Sequence, residues 1–266
     1  MTTTTHISGT PLIHSDEFEI YSKNGEFGDY KEIANKLYTD GYATIDVFLK
    51  NPNAIDNANR ELNTFFTTND ERETDSWSKY SSVKDIATSP PILKMLQVLY
   101  GRKPLPFQTL VFPKGTQQHF HSDSIHFSCF PKGFMCAVWV ALENVHSDAG
   151  PLYYYPQSHK MPYIEAYQVG YRQTQGIIPE QDIFHNYWVS EVERRNYKKE
   201  SFLAKKGQAF IWTANLLHGG SEILNQSLTR RSMVTHYYFD NCTYYTPLAS
   251  DIPSGNLRIR QLPNIK

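Results

Sequence analysis

Phe107-Gln-Thr-Leu-Val-Phe-Pro-Lys-Gly-Thr-Gln-Gln-His-Phe-His-Ser-Asp-Ser-Ile-His-Phe127 is where the chain changes character. Five of its first six residues are aromatic, β-branched or apolar, and Pro113 and Gly115 end the run, so they read as a strand closed by a turn. Similar runs follow at residues 135–142, 152–155, 209–213 and 232–239. Between them stand Pro131, Gly133, Gly150, Pro151, Pro156, Gly219 and Gly220. Short strands punctuated this way predict a β-sandwich or barrel.

Upstream the periodicity is helical. Residues 30–38 carry Ile33 and Leu37 one turn apart, and Gly41 stops them. Residues 43–49 read as a strand, and Pro52 opens a helix continuing through 54–66. Ser89, Pro90 and Pro91 open another over 92–100, closed by Gly101. Residues 181–199 hold Phe184, Tyr187, Trp188 and Val192 among many charges and predict a helical insertion in the β region. No linker composition or internal repeat interrupts the chain. The expectation is one domain over residues 1–266, mainly β with flanking helices. A helical layer covers about 15–105, and a β core about 106–240 carries an insertion at about 160–200.

The chain has 266 residues, enough to bury a core without disulfide staples. Hydrophobic residues are 40% and charged residues 20%, a globular balance. Lys plus Arg is 26 against 27 Asp plus Glu, which excludes binding of nucleic acid by bulk charge. No apolar run approaches the ~20 residues of a membrane helix, so no membrane partner is expected. Cys129, Cys136 and Cys242 have no paired spacing, which fits a reducing compartment and gives no CxxC zinc site. Residues 1–10 show no basic segment followed by an apolar one, and a cytoplasmic location is expected. The oligomeric state is left open.

In an extended chain His121 and Asp123 point to the same face, and one imidazole with one carboxylate can grip a transition metal. A third ligand must come from elsewhere. His218, before Gly219 and Gly220, is one candidate, and His119 on the same alternating face is another. Two His and one carboxylate on one face of an octahedron form the ligand set of non-haem Fe(II) oxygenases. A second His-x-Asp, His146-Ser-Asp148, precedes Ala149-Gly150-Pro151 and reads as a polar turn. Downstream, Arg230 and Ser232 alternate onto one strand face with Val234, His236 and Tyr238, and Arg231 falls on the other. A guanidinium fork beside a hydroxyl suits a carboxylate deep in a barrel.

Together these blocks resemble the phytanoyl-CoA dioxygenase-like branch of the Fe(II)/2-oxoglutarate oxygenases. The resemblance spans roughly residues 43–239. It is carried by Phe107-Gln-Thr-Leu110, His121-Ser-Asp-Ser-Ile-His-Phe127, Val138-Trp-Val-Ala-Leu-Glu143, Gly150-Pro-Leu-Tyr-Tyr-Tyr-Pro-Gln-Ser-His-Lys160, His218-Gly-Gly220 and Thr229-Arg-Arg-Ser-Met-Val-Thr-His-Tyr-Tyr238. It implies a double-stranded β-helix, or cupin-like jelly roll, with His121, Asp123 and His218 as iron ligands. Arg230 would bind the distal carboxylate of 2-oxoglutarate with Ser232 beside it, and Gln108 and Trp139 would line that site. Two departures stand out. Gln157 replaces a common glycine, and one extra residue between His218 and Arg230 relative to some members leaves the register with Arg231 open.

The resemblance further implies consumption of O2 and 2-oxoglutarate, release of succinate and CO2, and hydroxylation of a small metabolite or natural-product intermediate. Asp123 argues against halogenation, because related halogenases vacate that carboxylate. Dealkylation, desaturation and ring chemistry use the same iron site. The competing classes are a cupin-like isomerase or hydrolase without 2-oxoglutarate, and a non-catalytic binding member of the fold. His126, Phe127 and Tyr153 are candidate pocket residues. Arg194, Arg195, Lys198, Lys199, Lys205 and Lys206 form a basic run that would either meet an anionic substrate such as a CoA ester or be a solvated face.

Overall fold

The computed structural model describes residues 9–49, 52–172 and 182–265. Helices α1 (Phe18–Lys23), α2 (Lys31–Asp40), α3 (Pro52–Glu61), α4 (Asn63–Thr68), α5 (Ser81–Ala87) and α6 (Pro90–Tyr100) come first, interrupted by strands β1 (Tyr42–Ile45) and β2 (Glu73–Thr74). Then follow β3 (Pro104–Phe112), β4 (Ser128–Phe130), β5 (Met135–Ala141), β6 (Leu152–Tyr154), α7 (Asp182–Arg195), β7 (Glu200–Phe202), β8 (Ala209–Thr213), β9 (His218–Gly220), β10 (Ser232–Phe239) and β11 (Thr243–Tyr245). A six-stranded sheet runs β1-β8-β5-β10-β3-β2, and a three-stranded sheet runs β7-β6-β9. Pairing is antiparallel throughout both, and this is a jelly roll flanked by helices.

The two-residue period of the strands sorts side chains between two cores. On β5, Cys136, Val138 and Val140 join the cluster packed under the helices, with Leu37, Ile55, Val83 and Leu96. Ala137, Trp139 and Ala141 turn the other way, toward the smaller sheet, with Leu152, Phe202 and Phe210. The same alternation on β10 sends Met233 to the helical side and Val234 to the inter-sheet side. The space between the sheets is therefore reached only by alternate residues of each strand.

Several expected boundaries shift. The strand read over 43–49 is only β1, because the chain turns after Ile45. The helix read over 54–66 is broken at Leu62 into α3 and α4. The insertion is a short 3-10 turn (Ala166–Val169) followed by α7, and residues 173–181 of the expected insertion lie outside the described ones. Phe184 and Trp188 of α7 pack against Ile125 and Leu217, each close in sequence to a candidate ligand, so the insertion supports the site from outside. Gln157 sits at φ 68°, ψ −5°, the left-handed conformation that favours glycine there.

His14 and His159 are held side by side, ring centroids 6.2 Å apart, under the helical layer. Burial, then the neighbouring His159, pushes His14 down to about 3. Burial also pushes His159 down to about 4, with the Tyr38 carbonyl opposing and Lys160 assisting. Both stay neutral when folded, while an unfolded histidine titrates near 6.5. Below that pH the unfolded chain binds protons the folded chain refuses, so stability falls with pH. Each histidine should remove about 1.4 kcal/mol per pH unit between roughly 6.5 and its folded value. Chemical denaturation across this range should show that slope, and His14→Gln with His159→Gln should flatten it.

Candidate active site

His121 and His218 lie on neighbouring backbone segments that exchange two hydrogen bonds. His121 N donates to His218 O at 2.9 Å, and His218 N donates to His121 O at 3.0 Å. Asp123 is not in an extended strand as expected; it opens a short 3-10 turn (Asp123–Ile125). The turn forms because Ser122 and Ser124 satisfy backbone and side-chain groups locally. Ser122 Oγ accepts from Ser124 N at 3.2 Å and donates to Ala214 O at 3.0 Å, while Ser124 Oγ donates to Asn215 Oδ1 at 3.0 Å. Asn215 is fixed in turn by donating to Met161 O at 2.6 Å.

The imidazoles are oriented by their own backbones. His121 Nδ1 donates to His119 O at 3.1 Å and His218 Nδ1 donates to Leu216 O at 3.0 Å. A carbonyl only accepts, so each Nδ1 carries the proton and each Nε2 presents a lone pair. These Nε2 atoms lie 3.6 and 3.7 Å from Asp123 Oδ1. The three ligand atoms lie within 4.8 Å of one another, and all three residues are buried. The other oxygen, Oδ2, is occupied: Trp212 Nε1 donates to it at 2.7 Å and His236 Nε2 lies 3.6 Å away. Asp123 thus offers one oxygen inward. Burial alone would raise its carboxyl, but His218, His121 and His236 hold it well below the usual carboxylate range. Burial pushes His218 down to about 4, against the pull of Asp123, so the ring is neutral. Two neutral imidazoles and one carboxylate are the donor set that suits a first-row divalent metal.

A cavity of about 320 Å³ opens from these ligands along the inner face of the large sheet. Gln108, Trp139, His126 and Phe127, all expected at the site, line it. Arg230 does too. It is 2% exposed, its Nε has no partner, and its guanidinium carbon lies 5.8 Å from the Trp139 ring centre. Among the described residues no carboxylate pairs with it, and burial lowers its pKa to about 10. Arg231 turns outward instead. Its backbone N donates to Glu143 Oε1 at 2.7 Å, and its guanidinium lies over Phe66 at 5.2 Å. The structure therefore places Arg230, not Arg231, in the cavity.

Other expected residues fall elsewhere. Ser232 is fully buried, but its Oγ donates to the Arg230 carbonyl at 3.4 Å rather than lining the cavity. Tyr153 is outside the cavity. Strand alternation on β6 turns Leu152 inward and Tyr153 outward, where Lys199 covers its ring at 4.0 Å. His119 packs on His185 at 4.9 Å, away from the three ligands. His146 is exposed and Asp148 half-buried at the surface, away from the cavity. The basic run is also outside the cavity: Arg194 and Arg195 pair with Glu191, and Lys206 with Asp56. The cavity instead contains Arg72, Thr246 and Arg260, which the sequence reading did not single out. His236 and Trp212 were also missed as partners of Asp123. The alternation that selects Arg230 also selects His236, a signal that was available.

Gly219 follows His218 where another backbone segment passes close by. A methyl there would stand 2.7 Å from Gln118 O and 2.8 Å from the Tyr153 ring. The backbone oxygen cannot swing away, so Gly219→Ala should destabilise the fold by about 1–3 kcal/mol. It should also displace His218. Thermal melts with and without added Fe(II) should show a lowered midpoint and a diminished metal-induced rise.

Comparison with known proteins agrees with this architecture. The sequence model described as phytanoyl-CoA dioxygenase (PhyH) matches residues 37–232. No curated protein sequence matches. Among solved structures, the chain is similar to EctD from S. alaskensis with 2-oxoglutarate and 5-hydroxyectoine (TM-score 0.65, 15% identity, 90% of this chain and 84% of that one). It is also similar to the non-haem alpha-ketoglutarate-dependent carbocyclase SnoK from nogalamycin biosynthesis (TM-score 0.64, 14% identity, 90% and 96% covered). The epimerase SnoN from the same biosynthesis gives a TM-score of 0.61 at 16% identity, with 88% and 93% covered.

Proposed function

We propose, on the premise that this chain belongs to the phytanoyl-CoA dioxygenase family, that it is an Fe(II)/2-oxoglutarate-dependent oxygenase that hydroxylates a small molecule. His121, Asp123 and His218 would hold the iron, which when bound supplies activation of O2 driven by decarboxylation of 2-oxoglutarate. The observation that carries the reading is Arg230, a buried guanidinium in the same cavity as the ligands, with no carboxylate partner among the described residues. A buried cation is stable only when paired, and the distal carboxylate of 2-oxoglutarate supplies that partner.

The remaining residues position and exclude. Trp212 and His236 hold Asp123 Oδ2, which keeps Oδ1 toward the metal. Trp139 and Phe112 flank Arg230 and keep water from the ion pair. Gln108 can donate to the same dicarboxylate from β3. Hydroxylation is favoured over halogenation because Asp123 occupies the carboxylate position. The likeness to an epimerase and a carbocyclase keeps hydrogen abstraction without hydroxyl transfer as the second reading.

The test is anaerobic addition of Fe(II) and 2-oxoglutarate, followed by O2 and a panel of candidate metabolites. A visible charge-transfer band, then substrate-stimulated succinate, is expected. A cupin-like hydrolase or isomerase would give neither. Label from isotopic O2 in the product separates hydroxylation from epimerisation or cyclisation.

A further inference from the structure

A second cation in the cavity wall has no use in the chemistry above. Arg260 lies beyond β11, in the tail that returns across the mouth of the roll, where its backbone N donates to Tyr244 O at 2.9 Å. Its guanidinium lies over the Phe127 ring at 4.9 Å, and Nη1 donates to Thr246 Oγ1 at 3.1 Å. Nε is buried without a partner, and no carboxylate pairs with Arg260 among the described residues. Phe127 also packs on His236 at 5.0 Å, and His236 Nε2 is 3.6 Å from Asp123. Arg260 therefore stands two rings, Phe127 and His236, from the ligand Asp123.

Charge decides what it is for. Ferrous iron and Arg230 bring three positive charges, and 2-oxoglutarate and Asp123 bring three negative, with the histidines neutral. The loaded site is balanced, and Arg260 is in surplus. Arg72 also lines the cavity, but it is exposed and screened by solvent, whereas Arg260 is half-buried with its Nε out of reach of water.

We propose that Arg260, with Thr246 beside it, is the anion subsite for the substrate, and that the substrate is a small carboxylic acid. This rests on the function proposed above. The carboxylate takes the guanidinium of Arg260, the body of the acid lies along Phe127, and the reacting C–H bond reaches the metal. One carboxylate matches one surplus charge; a phosphate monoester would need Arg72 as an equal partner. The expected basic run on and after α7 has no part in this recognition.

The experiment uses the full chain, loaded anaerobically with Fe(II) and 2-oxoglutarate so that Arg230 is occupied. The probes are benzoate, phenylacetate and cyclohexanecarboxylate, each against its primary amide, with phenyl phosphate added; ligand-observed NMR reads their binding. At least one carboxylate should bind better than its amide. Arg260→Gln should weaken that binding about tenfold or more, Arg260→Lys less, and Arg72→Gln least. The charge-transfer band and unfolding midpoint of Arg260→Gln should match the parent, which shows that fold and cosubstrate site are intact. If no carboxylate outperforms its amide, or if Arg260→Gln binds as the parent does, the proposal is overturned. Tightest binding by phenyl phosphate, with Arg72→Gln as damaging as Arg260→Gln, also overturns it. A parent without the charge-transfer band sinks the oxygenase reading instead, since that band is recorded before any probe is added.

Discussion

Asp123→Ala should abolish turnover and most Fe(II) binding. The substitution removes the only charged donor among the three, and leaves two neutral imidazoles that face each other across the bridge. It also strands Trp212 Nε1 and His236 Nε2, both of which point at the lost carboxylate. Loss of a group that merely supports a ligand costs about 10–100-fold in metal affinity or activity. Loss of the ligand should exceed that. The control is Asp148→Ala, in the other His-x-Asp, which lies outside the cavity with its carboxylate 3.9 Å from His146. It should keep both metal and activity. Fe(II) titration and succinate release measure the two variants, and a metal retained by Asp123→Ala would refute the assignment.

Arg230→Gln should raise the dissociation constant for 2-oxoglutarate by roughly 30-fold or more, as expected when one partner of a desolvated pair is truncated at about 2–5 kcal/mol. Arg231→Gln should cost far less. That side chain is about a quarter exposed and faces Glu143 at 3.9 Å, and a surface pair is worth about 0–1 kcal/mol. A stability measurement separates recognition from scaffolding. Arg230 is an unpaired buried cation until 2-oxoglutarate arrives, so Arg230→Met should leave the ligand-free protein at least as stable as the parent. A large loss of stability, or equal effects at the two arginines, would mean that the guanidinium serves the fold instead.

The β region was legible because its strands carry period-two alternation between short turns. The runs at 135–142, 209–213 and 232–239 correspond closely to β5, β8 and β10. Alternation also sent Arg230 and His236 to one face and Arg231 to the other. It failed at Asp123, where a serine on either side builds a turn through side-chain hydrogen bonds that periodicity does not encode. It failed at Tyr153 for a different reason. Proximity in sequence to the metal strands is not proximity to the cavity: β6 turns Leu152 and Tyr154 to the inter-sheet face, and of the three residues only Leu152 lines the cavity. Arg260 carried no local signal at all. It reaches the cavity through a tail whose path depends on pairing with β11, a contact between segments that no window of sequence displays.

The reciprocal main-chain bonds between His121 and His218 also bear on how such a protein diversifies. They fasten the two ligands to each other, so the place of the metal is independent of how long the chain wanders between them. Connections between residues 126 and 213 can be lengthened, shortened or exchanged while that buckle stays closed, provided that β5 and β8 keep Trp139 and Trp212 in place. The same independence tells an engineer where to graft: the outer support can be rebuilt over 182–199 as long as Ile125 and Leu217 keep apolar company. A single deletion at 119 or 120 would instead slip the buckle by one residue and turn His121 to the wrong side. The metal ligands are thus held by main-chain bonds that the proposed substrate contacts at Phe127, Thr246 and Arg260 do not share.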